Sequence, residues 1–243
     1  MIIYAQDVAV KFPWRKERSR TLRRTLMQML NGRTPSQKQW FWALRGVSFS
    51  LNEGEVLGVI GRNGSGKTTL LRTIAGIYSP DEGAICVQGT VSTLLSLGAG
   101  FQPALSGLEN IYINGVLMGF SEREIDEVVE KIVEFAELEQ FIDSPVKTYS
   151  SGMIARLGFA IAVHLRRDIM LIDEVLGVGD VKFRQKSQEK IREMMTEGRT
   201  VVLVSHNMES IRQFATQALW LDRGLVRAQG TPDEVIQQYL NPQ

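Results

Sequence analysis

One eight-residue stretch limits the possible folds of this chain more than any other feature. Gly61 to Thr68 read GRNGSGKT, which matches the pattern G-x-x-x-x-G-K-[ST] in full. The apolar run Val56 to Ile60 precedes it, and apolar residues recur at helical spacing over 70–75 after it. In this order of strand, glycine-rich loop and helix, backbone N–H groups enclose phosphate oxygens at a helix N-terminus.

The loop predicts a site for nucleotide phosphates and Mg²⁺. Lys67 is expected to reach the β- and γ-phosphates, and the Thr68 hydroxyl to ligate Mg²⁺. Asp173 and Glu174 directly follow a second buried run. We expect Asp173 to hold the Mg²⁺ water shell and Glu174 to polarise the attacking water. The predicted nucleotide-binding residues of the loop are Gly61, Asn63, Gly64, Ser65, Gly66, Lys67, Thr68 and Thr69.

Two further apolar runs indicate the fold class. Ile169 to Ile172 and Val201 to Val204 are continuous and β-branched, as in central parallel strands that are covered on both faces. Between them, Phe183 to Met195 is polar and helix-forming. Buried strands that alternate with helices predict an α/β protein with a parallel sheet and right-handed crossovers. Together with the loop GRNGSGKT, this sheet resembles the RecA-like core of a P-loop NTPase, which is the fold class we expect.

Other segments do not fit that alternation. Ser48 to Leu51, Ala84 to Val87 and Val91 to Leu95 are short strand candidates, which we assign to a small antiparallel layer. Ser121 to Leu138 is predicted as one amphipathic helix with a capping box at Ser121 and Glu124 and a solvated acidic face. Near the end, Asp222-Arg223-Gly224 predicts a hairpin, and a short helix is expected from Thr231.

Composition excludes several classes of protein. The 243 residues carry 28 Lys and Arg against 27 Asp and Glu, and 44% are hydrophobic, which excludes a disordered, collagenous or polybasic chain. We therefore expect no nucleic-acid partner. The chain has one cysteine, Cys86, which cannot form an internal disulfide and is expected to be a small buried residue. We see neither a signal peptide nor an apolar run long enough to cross a bilayer.

The segment from about 13 to 40 departs from this balance. It contains eight basic residues and one acidic residue, and Leu22, Leu26, Met29 and Leu30 would share one stripe of a helix. Two interpretations stay open. The segment is either a solvated helix that packs on its own domain, or a surface that faces a membrane or a partner.

Further motifs carry a family resemblance. They are Gln102 in GFQPALSG, the sequence YSSGM at 149–153 followed by Arg156, the loop 177–180, and His206 after VVLVS. Together with GRNGSGKT and LIDE, they stand in the order found in the nucleotide-binding subunits of ABC transporters. The chain resembles that family over most of Phe12 to His206.

The resemblance implies a site and a partner. It implies one ABC ATPase domain over 1–243, with a helical subdomain at about 103–160 and with ATP and Mg²⁺ as cofactors. Gln102 would sense Mg²⁺ and the γ-phosphate, His206 would act as a catalytic switch at that phosphate, and Phe12 would stack on adenine. Ser151 and Gly152 would cap the γ-phosphate bound by a second copy, in a head-to-tail dimer that encloses the nucleotide.

Departures from the general family pattern narrow the resemblance. YSSGM lacks one glycine and the glutamine of the usual signature, and LGAGFQP, DEVLGVGD and SHNM are similar to the branch that exports O-antigen, capsular polysaccharide or wall teichoic acid. This implies a peripheral ATPase subunit at the cytoplasmic face of the cell membrane. Its partners would be a polytopic permease and, through it, a lipid-linked glycan. Some members carry a carbohydrate-binding domain after the cassette, so this chain is either a short form or a truncated one.

Two alternatives stay open. A soluble ABC ATPase of the assembly or repair type would share the motifs, although the long coiled coils, zinc cysteines and second cassette common in such proteins do not occur in the sequence. A P-loop kinase or GTPase is a different reaction class. A GTPase would need an Asn-Lys-x-Asp element, which the sequence lacks, and a kinase would not need YSSGM.

Overall fold

The computed structural model describes residues 1–14, 39–94, 98, 100–165, 167–173 and 180–241. The strands in these ranges are β1 Ile3–Trp14, β2 Gln39–Leu51, β3 Val56–Ile60, β4 Glu82–Val87, β5 Val91–Thr93, β6 Ile169–Ile172, β7 Thr200–Val204, β8 Gln217–Asp222 and β9 Leu225–Gly230. The helices are α1 Lys67–Ile74, α2 Gly107–Leu117, α3 Glu122–Asp126, α4 Val129–Ala136, α5 Ser151–His164, α6 Val181–Thr196, α7 Met208–Phe214 and α8 Pro232–Leu240. Among these helices, none combines the length and apolar character that a membrane span requires.

A six-stranded sheet carries the predicted site. Its strand order is β5-β6-β7-β3-β8-β9, and every neighbouring pair is parallel except β8 and β9. The central strands β3, β6 and β7 are buried along their whole length, as their continuous apolar sequences predict. The predicted α/β fold class is therefore confirmed, and the carboxyl ends of β3, β6 and β7 lie side by side at one edge of the sheet.

A three-stranded antiparallel sheet covers one face, in the order β2-β1-β4. The sequence prediction was wrong about Val91 to Leu95, because β5 pairs in parallel with β6 at the edge of the large sheet. The third antiparallel strand is β1, which pairs with both β2 and β4. The buried side chains of this sheet pack with α1 and with one face of the parallel sheet in a single apolar cluster.

The opposite face of the parallel sheet packs on helices. Residues of α5, α6, α7 and α8 form a second apolar cluster with β6 and β7, and three phenylalanine rings, Phe135, Phe159 and Phe183, meet there within 6.0 Å of one another. A third cluster contains residues of α2, α3, α4 and α5. Because α5 contributes residues to both the second and the third cluster, it joins helices α2 to α4 to the parallel sheet.

The predicted helix from Ser121 to Leu138 is two helices. The capping box at Ser121 and Glu124 is confirmed, but α3 ends at Asp126 and α4 begins at Val129. The break falls at Val128, beside a second β-branched residue, where helix propensity is low. Each half buries its own isoleucine, Ile125 in α3 and Ile132 in α4.

Two other predictions meet different outcomes. The hairpin is confirmed, since Arg223 and Gly224 both have positive φ, as the tight turn between β8 and β9 requires. Cys86 is exposed rather than buried. It lies on β4, where Ile85 and Val87 face the core, so the alternation of the strand directs Cys86 outward.

The basic segment lies almost wholly outside the described residues. Only its ends belong to them, and they are neighbours, because Pro13 pairs with Trp40 and Trp14 pairs with Gln39. The helix predicted over Leu22 to Leu30 falls on residues that the structure does not describe.

Candidate nucleotide-binding site

The glycine-rich loop connects β3 to α1, as the motif predicts. Gly61 has φ +149°, and a Cβ atom there would lie 2.1 Å from the carbonyl oxygen of Leu221. Gly66 has φ +110°, and its Cβ would lie 2.5 Å from the carbonyl oxygen of Ala43. A side chain at either position would collide with backbone that cannot move aside. The loop path therefore requires glycine at both positions.

The start of α1 fits an anion. No side chain caps it, its first turn has no acidic residue, and it begins with Lys67. By contrast, α2, α3 and α8 each begin with a capping box. A cation at a helix N-terminus is unfavourable beside the helix dipole, and a bound phosphate would reverse that. The Ser65 hydroxyl is also buried in the loop and has no hydrogen-bond partner among the described residues.

Lys67 is held inside the loop. The residue is 7% exposed, and its Nζ donates hydrogen bonds to the carbonyl oxygens of Gly61 at 2.7 Å and Arg62 at 3.1 Å. These bonds keep the ammonium group at the loop, where phosphates would contact it. The neighbouring Thr69 is half-buried, and its carbonyl oxygen accepts a hydrogen bond from the Thr73 hydroxyl.

Two of the residues predicted to hold Mg²⁺ are distant in sequence and in contact in the structure. The Thr68 hydroxyl donates to Asp173 Oδ2 at 3.1 Å. Thr68 lies in the first turn of α1, and Asp173 follows the last residue of β6, so the fold joins positions 105 residues apart. A hydroxyl and a carboxylate are both oxygen ligands of the kind that Mg²⁺ prefers.

His206 also reaches the loop. Its Nε2 lies 3.1 Å from Asn63 Oδ1 and donates when it carries the ring proton. His206 follows β7, the strand between β6 and β3, so the sheet order explains why it arrives here. Glu174, the predicted water-polarising residue, lies outside the described residues, one position after Asp173.

Gln102 has an exposed side chain and a tightly held backbone. Its N–H donates to Asn110 Oδ1 at 2.7 Å, and Asn110 Nδ2 donates to the carbonyl oxygens of Gln102, Leu105 and Ser106 at 3.1, 3.3 and 2.8 Å. Asn110 is fully buried. Asn110 was not among the predicted site residues. In the sequence it is one polar residue beside Glu109 and Ile111, and that pattern does not reveal its contacts.

Ser151 and Gly152 lie in the first turn of α5, and Ser151 is exposed. The residue that caps this helix is Ser150, whose hydroxyl accepts from the Met153 N–H at 3.2 Å. Tyr149 before it is buried and donates to the Phe141 carbonyl oxygen at 2.7 Å. Burial raises the pKa of its phenol. No hydrogen bond between described residues joins Ser151 or Gly152 to the loop of the same chain.

Phe12 lies on β1 and is half-buried. Its ring packs edge to face against Tyr78, with centroids 5.2 Å apart, and against the first apolar cluster. Tyr78 in turn accepts a hydrogen bond from the Arg72 guanidinium, at the end of α1. The ring therefore lies among residues that follow the loop, and the predicted stacking on adenine stays a prediction.

The fold and the loop define a P-loop NTPase. Residues 44–177, more than half of the chain, match the family model described as ABC transporter. Over 212 residues, the chain is 41% identical to the O-antigen export system ATP-binding protein RfbB of Klebsiella pneumoniae. This alignment covers 87% of this chain and 84% of that protein. The chain belongs to the ABC transporter family, which confirms the resemblance seen in its motifs.

Longer relatives are also similar. The chain is 44% identical to the O-antigen export system ATP-binding protein RfbB of Myxococcus xanthus over 98% of its own length. It is 47% identical to the teichoic acids export ATP-binding protein TagH of Lactococcus lactis over 86%. It spans 55% and 45% of these two relatives, about half of each.

Solved structures have the same fold. The chain superposes with a TM-score of 0.72 on a dimeric ATP-binding cassette in a post-hydrolysis state with ADP and Pi, over 95% of this chain and 98% of that one. It superposes with a TM-score of 0.74 on an ATP-binding subunit of an ABC transporter, over 98% of this chain and 93% of that one. Both are 21% identical in sequence, so the likeness concerns the fold.

Proposed function

We propose that the chain is the ATP-hydrolysing subunit of an ABC exporter that moves a lipid-linked surface glycan across the cytoplasmic membrane. The contact between Thr68 and Asp173 carries the nucleotide part of this proposal, because it joins two oxygen ligands beside a loop built for phosphate. The O-antigen and teichoic acid export relatives support the glycan part.

In this proposal, the loop of 61–66 and the first turn of α1 bind the ATP phosphates, and Lys67 contacts the β- and γ-phosphates. Thr68, Asp173 and Gln102 would hold Mg²⁺. When bound, this ion would neutralise part of the negative charge of the phosphates. Glu174 orients the attacking water and accepts its proton, and His206 contacts the γ-phosphate. His206 must then exchange its contact with Asn63 for the phosphate.

We propose that two copies pair head to tail. Ser151 and Gly152 of one copy would complete the phosphate site of the other, because a helix N-terminus without acidic residues favours an anion. The exposure of Ser151 supports this arrangement, since a partner can reach it. ATP would be bound by both copies, and hydrolysis would remove the shared contacts and reopen the pair.

A groove among the helices is the site where we propose that a polytopic permease docks. It has a volume of about 400 Å³ and an almost wholly apolar surface, and three glutamates belong to its lining. Such a groove fits a partner helix with apolar and basic side chains. Its lining residues are Leu108, Val129, Glu130, Val133, Glu134, Glu139 and Ile142.

The proposal includes one cassette domain over 1–243, with a helical subdomain at about 103–160 and a basic insert at about 13–40. The separate apolar cluster of α2 to α5 supports the subdomain. Docking on a permease would hold the chain peripherally at the cytoplasmic face of the membrane. The export relatives support this reading over a soluble assembly or repair ATPase.

The test is polymer export by a cell whose own copy is replaced. We expect the wild-type chain to co-purify with a polytopic membrane protein and to restore surface polymer, measured with a lectin on intact cells. With Lys67→Ala, the polymer should stay inside the cell, so that the lectin signal on intact cells is lost. The matched control is Lys190→Ala, which removes a lysine that pairs with Glu193 on α6. Normal export by Lys67→Ala, or equal loss in both variants, would contradict the proposal.

A further inference from the structure

The turn between β8 and β9 contacts the glycine-rich loop near both of its ends. At the first end, a Cβ atom on Gly61 would lie 2.1 Å from the Leu221 carbonyl oxygen, because Gly61 directly follows β3, which pairs with β8. Near the other end, the Gly224 N–H donates to the Ser65 carbonyl oxygen at 2.9 Å. Leu221 and Gly224 are three positions apart in the sequence. One short segment therefore holds both ends of the loop.

A bulge in β2 supports the turn from the other side. Two consecutive residues of β1 pair with Leu44 and Trp42, so Ala43 between them is the extra residue of a β-bulge. A Cβ atom would lie 2.7 Å from the Ala43 carbonyl oxygen if it were added to Gly224, and 2.5 Å from it if added to Gly66. Bulges bend a strand and are over-represented beside active sites. The bulge, the turn and the end of the loop therefore meet at one carbonyl group.

Gly224 uses both of its backbone polar groups in these contacts. Its N–H donates to Ser65, and its carbonyl oxygen accepts from the Arg45 N–H on β2 at 2.8 Å. The residue is buried and has φ +79°, a conformation that glycine adopts without strain. A shift of the turn relative to β2 would therefore disturb the contact with the loop as well.

The width of the loop decides how well it fits phosphate. Its N–H groups enclose phosphate oxygens only when they converge on one point. Lys67 depends on the same geometry, because its Nζ donates to the carbonyl oxygen of Gly61, the end that approaches Leu221. A change in the distance between the two ends would therefore move both the N–H groups and the ammonium group away from the phosphates.

We propose that Gly224 is a positioning residue for the nucleotide, which holds Ser65 at a fixed distance from Gly61 and so sets the width of the loop. The inference rests on the proposed function, because it takes a nucleotide to be the ligand of the loop. Gly224 acts through the backbone of Ser65 and not through a phosphate contact of its own. Only glycine fits, because any side chain would collide with the backbone of Ala43.

Gly224→Ala tests the proposal against a control with the same backbone strain. Gly198 has φ +76°, and a Cβ atom there would have open space around it. Both variants should lose stability because alanine disfavours positive φ, but only Gly224→Ala pushes the turn away from β2. Calorimetry with ADP, which is not hydrolysed further, should show roughly tenfold weaker binding to Gly224→Ala and unchanged affinity for Gly198→Ala.

The binding measurement is made well below both melting temperatures, where each variant is fully folded. A purely structural residue would lower the melting temperature and leave the affinity of the folded protein unchanged. The same ADP affinity in the two folded variants would therefore overturn the inference.

Hydrogen exchange of the wild-type chain tests the coupling without any variant. Coupling between two sites is reciprocal, so saturating ADP should slow exchange of the Gly224 amide by the same factor, roughly tenfold. The control is the Gly54 amide, which donates to Thr200 Oγ1 at 2.9 Å at the amino-terminal end of β7. Its exchange should not change. Equal slowing of both amides, or no slowing at Gly224, would overturn the inference.

A measurement without nucleotide separates this inference from the proposed function. Amide exchange over 62–68 should be faster in Gly224→Ala than in Gly198→Ala. Equal exchange in the two variants would overturn the inference even if the wild type binds ADP. A wild-type chain that binds no nucleotide would refute the proposed function instead, and the exchange result would still decide whether Gly224 holds the loop.

Discussion

Asn110→Ala is expected to be among the most damaging single changes outside the nucleotide loop. The side chain is fully buried and makes four hydrogen bonds, two of them short, to Gln102 N–H at 2.7 Å and to the Ser106 carbonyl oxygen at 2.8 Å. The other two, to the carbonyl oxygens of Gln102 and Leu105, are 3.1 and 3.3 Å. At about 1 kcal/mol for each short bond and about half of that for each long one, the loss is about 3 kcal/mol.

The matched control is Asn114→Ala, one turn later on α2. Among the described residues, Asn114 Nδ2 donates only to the Asn110 carbonyl oxygen, at 2.8 Å within the same helix. Alanine also has the higher helix propensity. We expect its free energy of unfolding to change by less than about 0.5 kcal/mol. Asn110→Asp should cost at least as much as Asn110→Ala, because it turns an oxygen toward three carbonyl groups.

Urea unfolding followed by tryptophan fluorescence measures these differences. For a domain of this size, about 3 kcal/mol corresponds to a melting temperature lower by about 6–12 °C. A loss below about 1 kcal/mol for Asn110→Ala, or an equal loss for Asn114→Ala, would refute the argument that this amide holds the backbone around Gln102.

Three other predictions concern charged groups. Lys67→Ala should weaken ATP binding by about 1.5–3 kcal/mol, the value of a hydrogen bond to a charged group, and calorimetry that finds unchanged affinity would contradict this. Glu174→Gln should abolish hydrolysis and keep ATP binding, so that a closed dimer accumulates with Mg²⁺ and ATP. Normal ATP turnover, or a monomer at high protein concentration, would count against the role of Glu174 in hydrolysis. The Thr90 N–H and hydroxyl hold the pKa of Asp168 below its usual range, so its contribution to stability is complete above the ordinary carboxyl pKa of about 4 and is lost as pH falls through the lowered pKa. Acid unfolding of Asp168→Asn should therefore depend less on pH than that of the wild type, and identical profiles would contradict this.

The sequence predicted those parts of the site that local pattern determines. The glycines of GRNGSGKT lie where the backbone approaches Leu221 and Ala43. Short, β-branched apolar runs are typical of strands at the centre of a covered sheet. The sequence alone therefore located the loop, the end of β3 and the start of α1. The partners of Lys67 inside its own loop follow from the same local geometry.

Features that depend on tertiary contacts could not be predicted. Three residues of β5 pair with β6 rather than with the antiparallel layer, and nothing in so short a strand specifies its neighbour. In the sequence, Asn110 is one polar residue among others. Its role is visible only in its four hydrogen bonds to the backbone of Gln102, Leu105 and Ser106. Arg156 pairs with the carboxylates of Glu137 and Asp180, which lie 19 and 24 positions away in the sequence, on two other segments.

We propose that each ATP is bound by the loop of one copy and by the first turn of α5 of the other. Mixing two inactive variants tests this arrangement. Lys67→Ala disables the loop, and Gly152→Asp places a negative charge where the γ-phosphate of the partner would bind. A mixed head-to-tail dimer has both defects in one site and none in the other.

The measurement is ATP turnover of the equimolar mixture. Random pairing gives mixed dimers in half of the cases, each with one intact site, so we expect up to about a quarter of wild-type turnover from two variants that are inactive alone. A chain that carries both substitutions, mixed with a single variant, should give none. Turnover no higher than that of the separate variants would contradict the shared site.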